Sequence, residues 1–146
     1  MSDSLEAMFL NIDTMLKNCN IDYIELKKSD INKKFFDDYN RTRVVNSFLF
    51  NFGKLQDKIG AKLFKQVLYE IKELDDFSLT VIDVLNMLEK FNILESTAQW
   101  ERLREIRNIL AHEYPFDIAE RVENIQLALE GFEDLKSIYI KLKQII

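Results

Sequence analysis

The sequence predicts an all-α fold, an antiparallel bundle of four to five helices forming one domain over 1–146, on three observations. The 146 residues hold only three glycines and one proline, too little turn punctuation for a sheet protein. Apolar residues, 47% of the chain, recur at spacings of three and four through most of its length. Charged residues, 31% of the chain, fill the positions between them, as the solvated faces of amphipathic helices require.

The first helix is predicted over Ser4 to Cys19, where Leu5, Met8, Phe9, Ile12, Met15, Leu16 and Cys19 make one stripe and Asn20 suits its end. The segment Ile21 to Lys28 alternates weakly and reads as a connection. Ser29 or Asp30 can cap the next helix. From Ile31 to Leu74 there is no proline, and the apolar series from Phe35 through Phe48, Phe52, Ile59 and Val67 to Leu74 predicts one long helix, or two meeting near Gly53 or Gly60. Phe48, Phe50 and Phe52 read as core or dimer contact rather than a base-stacking platform, since no basic residues interleave them. Lys27, Lys28, Lys33, Lys34, Arg41 and Arg43 read as a solvated face, with attraction of phosphates as the alternative.

Ser78 suits the cap of a short helix through Leu79, Val81, Ile82, Leu85, Leu88 and Phe91. Ser96-Thr-Ala-Gln99 fits a capping box that opens a further helix, and Asp117-Ile-Ala-Glu120 starts a last one through Val122, Ile125, Leu129, Phe132, Leu135, Ile138 and Leu142. The chain carries no internal repeat and no linker.

Composition limits the function. One cysteine, Cys19, excludes an intramolecular disulfide and a cysteine-based metal cluster, and its place on an apolar stripe marks a buried thiol in a reducing compartment. With no basic start followed by an apolar run, and no stretch of 18 uncharged apolar residues, the expected location is the cytoplasm, away from any membrane. A net charge of −5 argues against broad, non-specific coating of nucleic acid but leaves room for a small basic site.

Such a site is suggested between Trp100 and Pro115, which holds the only histidine, the only tryptophan, the only proline and half of the arginines. On a helical wheel of about 100° per residue, Leu103, Ile106 and Leu110 form the core arc. Arg107 falls on the shoulder of that arc beside Trp100, a place where an unpaired charge costs several kcal/mol. Arg104, Asn108 and His112 follow at i, i+4 and i+8 on an adjoining face floored by Ala111. Arg107 and His112 diverge by about 140°, so two copies related by a two-fold axis are needed to bring one chain's arginine near the other's histidine. Pro115 ends the helix just after His112 and leaves the histidine accessible.

Histidine near neutrality can take a proton from a ribose 2'-OH or give one to a leaving 5'-oxygen, and arginine can hold the phosphate and its transition-state charge. No metal and no cofactor are expected, because a single histidine without clustered cysteines or carboxylates is not a ligand set. The same residues also fit a plainer account. His112 can complement the helix dipole, and Arg107 can pair with Glu101, Glu105 or a neighbouring helix.

The series Arg107-Asn108-Ile109-Leu110-Ala111-His112-Glu113-Tyr114 resembles the R-x4-H-x-Y form of the HEPN signature R-x4-6-H, over about the last hundred residues of the chain. The resemblance implies a HEPN-like bundle and a homodimeric, metal-independent endoribonuclease toxin of a type VII-like toxin–antitoxin system, its cleft at the dimer interface. Arg107 and His112 would then be catalytic, Asn108 and Arg104 supporting phosphate contacts, and RNA the substrate, cut to leave a 2',3'-cyclic phosphate. It also implies a minimal nucleotidyltransferase antitoxin, which in some such pairs adds AMP to the motif tyrosine, here Tyr114. The helical order is similar, too, to the non-catalytic substrate-binding subunits of nucleotidyltransferases.

Overall fold

The computed structural model describes residues 1–75, 77–112 and 117–146. Their helices are α1 (Asp3–Lys27), a 3₁₀ turn (Lys33–Asp37), α2 (Tyr39–Lys58), a π-helical turn (Ile59–Leu63), α3 (Phe64–Glu70), α4 (Val81–Lys90), α5 (Thr97–Ala111) and α6 (Ile118–Gln144). Because α2, the π turn and α3 are continuous, the described residues form five helical rods and no strand. No helix among them is long and apolar enough to cross a membrane.

Cross-helix contacts give the topology. Ser2 reaches Glu70, Asn11 reaches Lys58 and Asp22 reaches Ser47, so α1 runs antiparallel to the α2–α3 rod. Asp13 meets Tyr139 and Lys143 while Asn20 meets Lys136, which sets α6 antiparallel to α1. Trp100 lies on Phe64 and Arg107 on Asp57, so α5 is antiparallel to α2–α3 in turn. The four rods α1, α2–α3, α5 and α6 thus alternate up and down, with α4 packed on α5. Across the diagonal, Phe132 of α6 meets Phe48 of α2 edge to face at 5.6 Å between ring centroids, and Phe48 stacks on Phe52 at 6.2 Å. At the α1–α6 seam the Tyr139 hydroxyl lies 2.6 Å from Asp13 Oδ1, which also receives Lys143 Nζ at 3.1 Å.

Several boundaries differ from expectation, each for a local reason. α1 does not stop at Asn20. Tyr23 and Leu26 continue the stripe begun by Cys19, and the Asn20 amide oxygen takes a hydrogen bond from Lys136 instead of competing for the backbone. Ser29 caps nothing, because its hydroxyl donates back to the Glu25 carbonyl and closes α1. Asn32 caps the 3₁₀ turn that buries Phe35, and Asp38 caps α2, so the long helix begins at Tyr39 rather than near Ile31. Neither Gly53 nor Gly60 breaks it. Phe48 and Phe52 are core, but Phe50 is 65% exposed.

Thr80, not Ser78, caps α4. Ser96 occupies the N-cap of α5 without a side-chain bond, and Gln99 accepts the N–H of Glu95 rather than that of Ser96, so the predicted capping box does not form. The box at Asp117 forms at its first half, with Asp117 Oδ1 accepting the Glu120 N–H at 3.0 Å. α3 and α4 both end in a Schellman turn whose left-handed residue is not glycine: Lys72 at φ 64° and Asn92 at φ 61°.

Candidate functional site

α5 is held by Trp100, Leu103 and Ile106, all buried, while Leu110 is only half-buried. The core arc is therefore rotated towards Trp100 relative to the wheel. Trp100 packs edge to face on Phe64 at 4.6 Å and fills the space over Gly60, where an added Cβ would lie 2.7 Å from its Cζ2. Gly60 sits in the π turn, and the missing side chain lets the indole lie against the backbone.

About two turns back, on α2, the same device recurs with a charged knob. Arg107 lies across Gly53, where an added Cβ would come within 2.8 Å of its Nε. That Nε is buried with no hydrogen-bond partner among the described residues, while Nη2 reaches Asp57 Oδ2 at 3.4 Å. A buried donor without an acceptor is costly, so the packing over Gly53 and the contact with Asp57 hold the guanidinium against that penalty.

Around this arginine the surface is concave. A cavity of about 400 Å³ is lined by Gln56, Asp57, Trp100, Arg104, Arg107 and Asn108, with Gly60, Ala61 and Val81 completing it. On the other side of Arg107 a smaller one of about 220 Å³ is lined by Leu49, Phe50, Gly53, Lys54 and Leu110. Arg107 thus stands as the partition between the two hollows.

The predicted residues separate into two groups. Arg104, Arg107 and Asn108 share the larger cavity. His112 lines neither hollow. It is the C-cap of α5, exposed, its N–H bonded to the Ile109 carbonyl at 3.2 Å. The face bearing Arg104, Asn108, Ala111 and His112 is solvent-exposed throughout. Tyr114 lies outside the described residues.

Comparison with protein-family models, with curated proteins and with solved structures finds no match. What the site can do therefore rests on its own chemistry. Both arginines have a carboxylate: Arg104 pairs with Glu101 at 3.2 Å within its own helix, and Arg107 with Asp57 across the groove. These are partly exposed pairs, each contributing about 0–1 kcal/mol, so an incoming phosphate can compete for either arginine. Among the described residues no three His, Cys, Asp or Glu side chains gather as a metal site.

Three contributors escape a reading of the sequence. Asp57, Gln56 and Gly53 all come from α2, about a third of the chain away from Arg107, and only the antiparallel pairing of α2 with α5 brings them to it. The one available signal was the Gly53-x3-Asp57 spacing, which puts a gap and a carboxylate on one helical face.

Proposed function

We propose that this protein is a metal-independent endoribonuclease toxin, active as a homodimer and neutralised by a nucleotidyltransferase antitoxin. The observation that supports it most is the grouping of Arg107, Arg104 and Asn108 around one cavity, with Arg107 fixed over Gly53. In this reading Arg107 holds the scissile phosphate and stabilises its developing charge, with Asn108 and Arg104 as further phosphate contacts. His112 removes the 2'-OH proton or protonates the leaving 5'-oxygen. Because His112 projects from the end of α5 and not into the arginine cavity, the pair is completed by a second copy, one protomer supplying the arginine and its partner the histidine. Tyr114 is the residue on which AMP would be placed by the antitoxin.

Purified protein is expected to cleave RNA in EDTA and leave a 2',3'-cyclic phosphate, with Arg107→Ala and His112→Ala each abolishing cleavage while the dimer persists. Full activity in both variants would remove the site assignment.

One observation favours a second reading, a non-catalytic subunit that presents this pocket to a nucleotide or to a nucleotidyltransferase. Arg104 and Arg107 already have carboxylate partners, which suits reversible binding as well as catalysis. Induced expression separates the two: a ribonuclease toxin arrests growth and a binding subunit does not.

A further inference from the structure

A hollow of about 580 Å³ lies away from Arg107, on the outer side of the α1–α2 seam. Its floor is apolar, made by Met8 and Ile12 of α1 and Leu63 of the π turn. It exists because the antiparallel register that pairs Asn11 with Lys58 sets Ala7 of α1 near Ala61 of the π turn, two exposed alanines where larger residues would close the seam. The groove follows the helix axes from Ser4 to Ile12, about 12 Å at 1.5 Å per residue.

One wall is cationic. Lys54, Lys58 and Lys62 line the groove at i, i+4 and i+8, all exposed. Lys58 donates to Asn11 at 2.8 Å, Lys54 lies over the Phe50 ring, and none of the three is within ion-pair distance of a carboxylate among the described residues. The single acid on this wall, Asp57, is drawn to Arg107 on the far side of α2.

From these features we propose that the groove is a docking site for an acidic amphipathic helix of a partner protein. Three lysines stepped by about 6 Å along one helix present charge at the repeat of another helix, whose own acids recur at i, i+4 and i+8. The alanines on both shoulders admit a backbone at close range, and the floor of Met8, Ile12 and Leu63 takes apolar anchors at i, i+3 or i+4, and i+7. A single-headed anionic amphiphile would use one lysine and leave two without a role. A nucleic-acid backbone would leave the apolar floor uncovered.

The test is a displayed library of 18-residue amphipathic helices with fixed apolar positions and flanking positions varied among Glu, Gln and Lys, selected on the whole protein. Selected peptides are expected to carry Glu beside the apolar face and to shift α1 and π-turn resonances. They should also weaken at least about tenfold with Lys54→Glu/Lys58→Glu/Lys62→Glu, and similarly with the groove-filling Ala61→Leu. The lysines are exposed, so the triple variant keeps its fold, and circular dichroism checks this. The proposal is overturned if no peptide rises above background, if the selected peptides are neutral or basic, or if they bind the triple variant equally well. Saturation of the same lysines by laurate or by a single-stranded oligonucleotide, with no peptide bound, overturns it too.

Discussion

Gly53 and Gly60 each leave room for one side chain of α5, and adding a methyl group to each should have opposite consequences. At Gly53 the new Cβ would meet Arg107 at Nε, Cδ and Cζ, 2.8, 3.1 and 3.2 Å away. That is the far part of a flexible side chain already about one-third exposed, so it can swing outwards. The move ends a contact with Asp57 of about 0–1 kcal/mol, returns the buried Nε to water, and gives an interior helix position about 0.8–1.0 kcal/mol of propensity. Gly53→Ala should therefore be neutral or more stable by up to about 1 kcal/mol. At Gly60 the new Cβ would meet Trp100 at 2.7, 3.3 and 3.4 Å. The indole is 2% exposed and wedged against Phe64, so it cannot leave. Overpacking costs about 1–3 kcal/mol, and Gly60→Ala should be destabilising by about 0–2 kcal/mol after the propensity gain.

Urea unfolding measures both, with a gap of roughly 1–2 kcal/mol expected between the variants. The arginine side chain gives the second readout: Arg107 Nε–H should exchange slowly in the native protein and rapidly in Gly53→Ala. Under the proposed function that variant also loses cleavage while gaining stability. A Gly53→Ala protein less stable than Gly60→Ala, or one that keeps its Nε proton protected, would refute the reasoning.

Asp57→Asn should leave stability within about 1 kcal/mol, because the pair it breaks is exposed, and should lower KM for RNA severalfold by removing the carboxylate that competes with phosphate for Arg107; an unchanged KM would show that Asp57 does not restrain the arginine. Alkaline pH offers a separate probe of the core. Burial, assisted by the charge of Asp22, pushes the Cys19 thiol from an ordinary 9.0 up to about 12, and burial together with Asp13 raises the Tyr139 phenol above its ordinary 10.0. Both groups keep their protons when folded, so stability is fully present below about pH 9 and is lost as pH rises towards 12, by about 1.4 kcal/mol per pH unit for each retained proton. Cys19→Ala should flatten the first part of the decline, and an equally steep fall in that variant between pH 9 and 10 would contradict the assignment.

The all-helical fold was readable because the apolar spacing persists along the chain, and α6 follows its predicted stripe from Asp117 onwards. Boundaries were harder, since caps are decided by which of several neighbouring polar side chains finds a backbone donor. Asp38 does and Ser29 does not. The site was legible on one side only. Arg104, Arg107, Asn108 and His112 could be placed on their helix faces from α5 alone, whereas Asp57 and the gap at Gly53 belong to a helix whose register against α5 is set by tertiary packing. Gly53 and Gly60 looked like candidate helix breaks because a sequence does not show what will lie over them.

The π turn and the end of α2 form a wall common to two cavities: Asp57 and Ala61 line both the arginine hollow and the lysine groove. Ligands on the two sides of such a wall are thermodynamically linked. Whatever factor an occupant of the groove imposes on the affinity at Arg107 by moving Asp57, a ligand at Arg107 must impose on the groove in return. The coupling free energy between the two cavities can therefore be measured from either side, and the two values must agree.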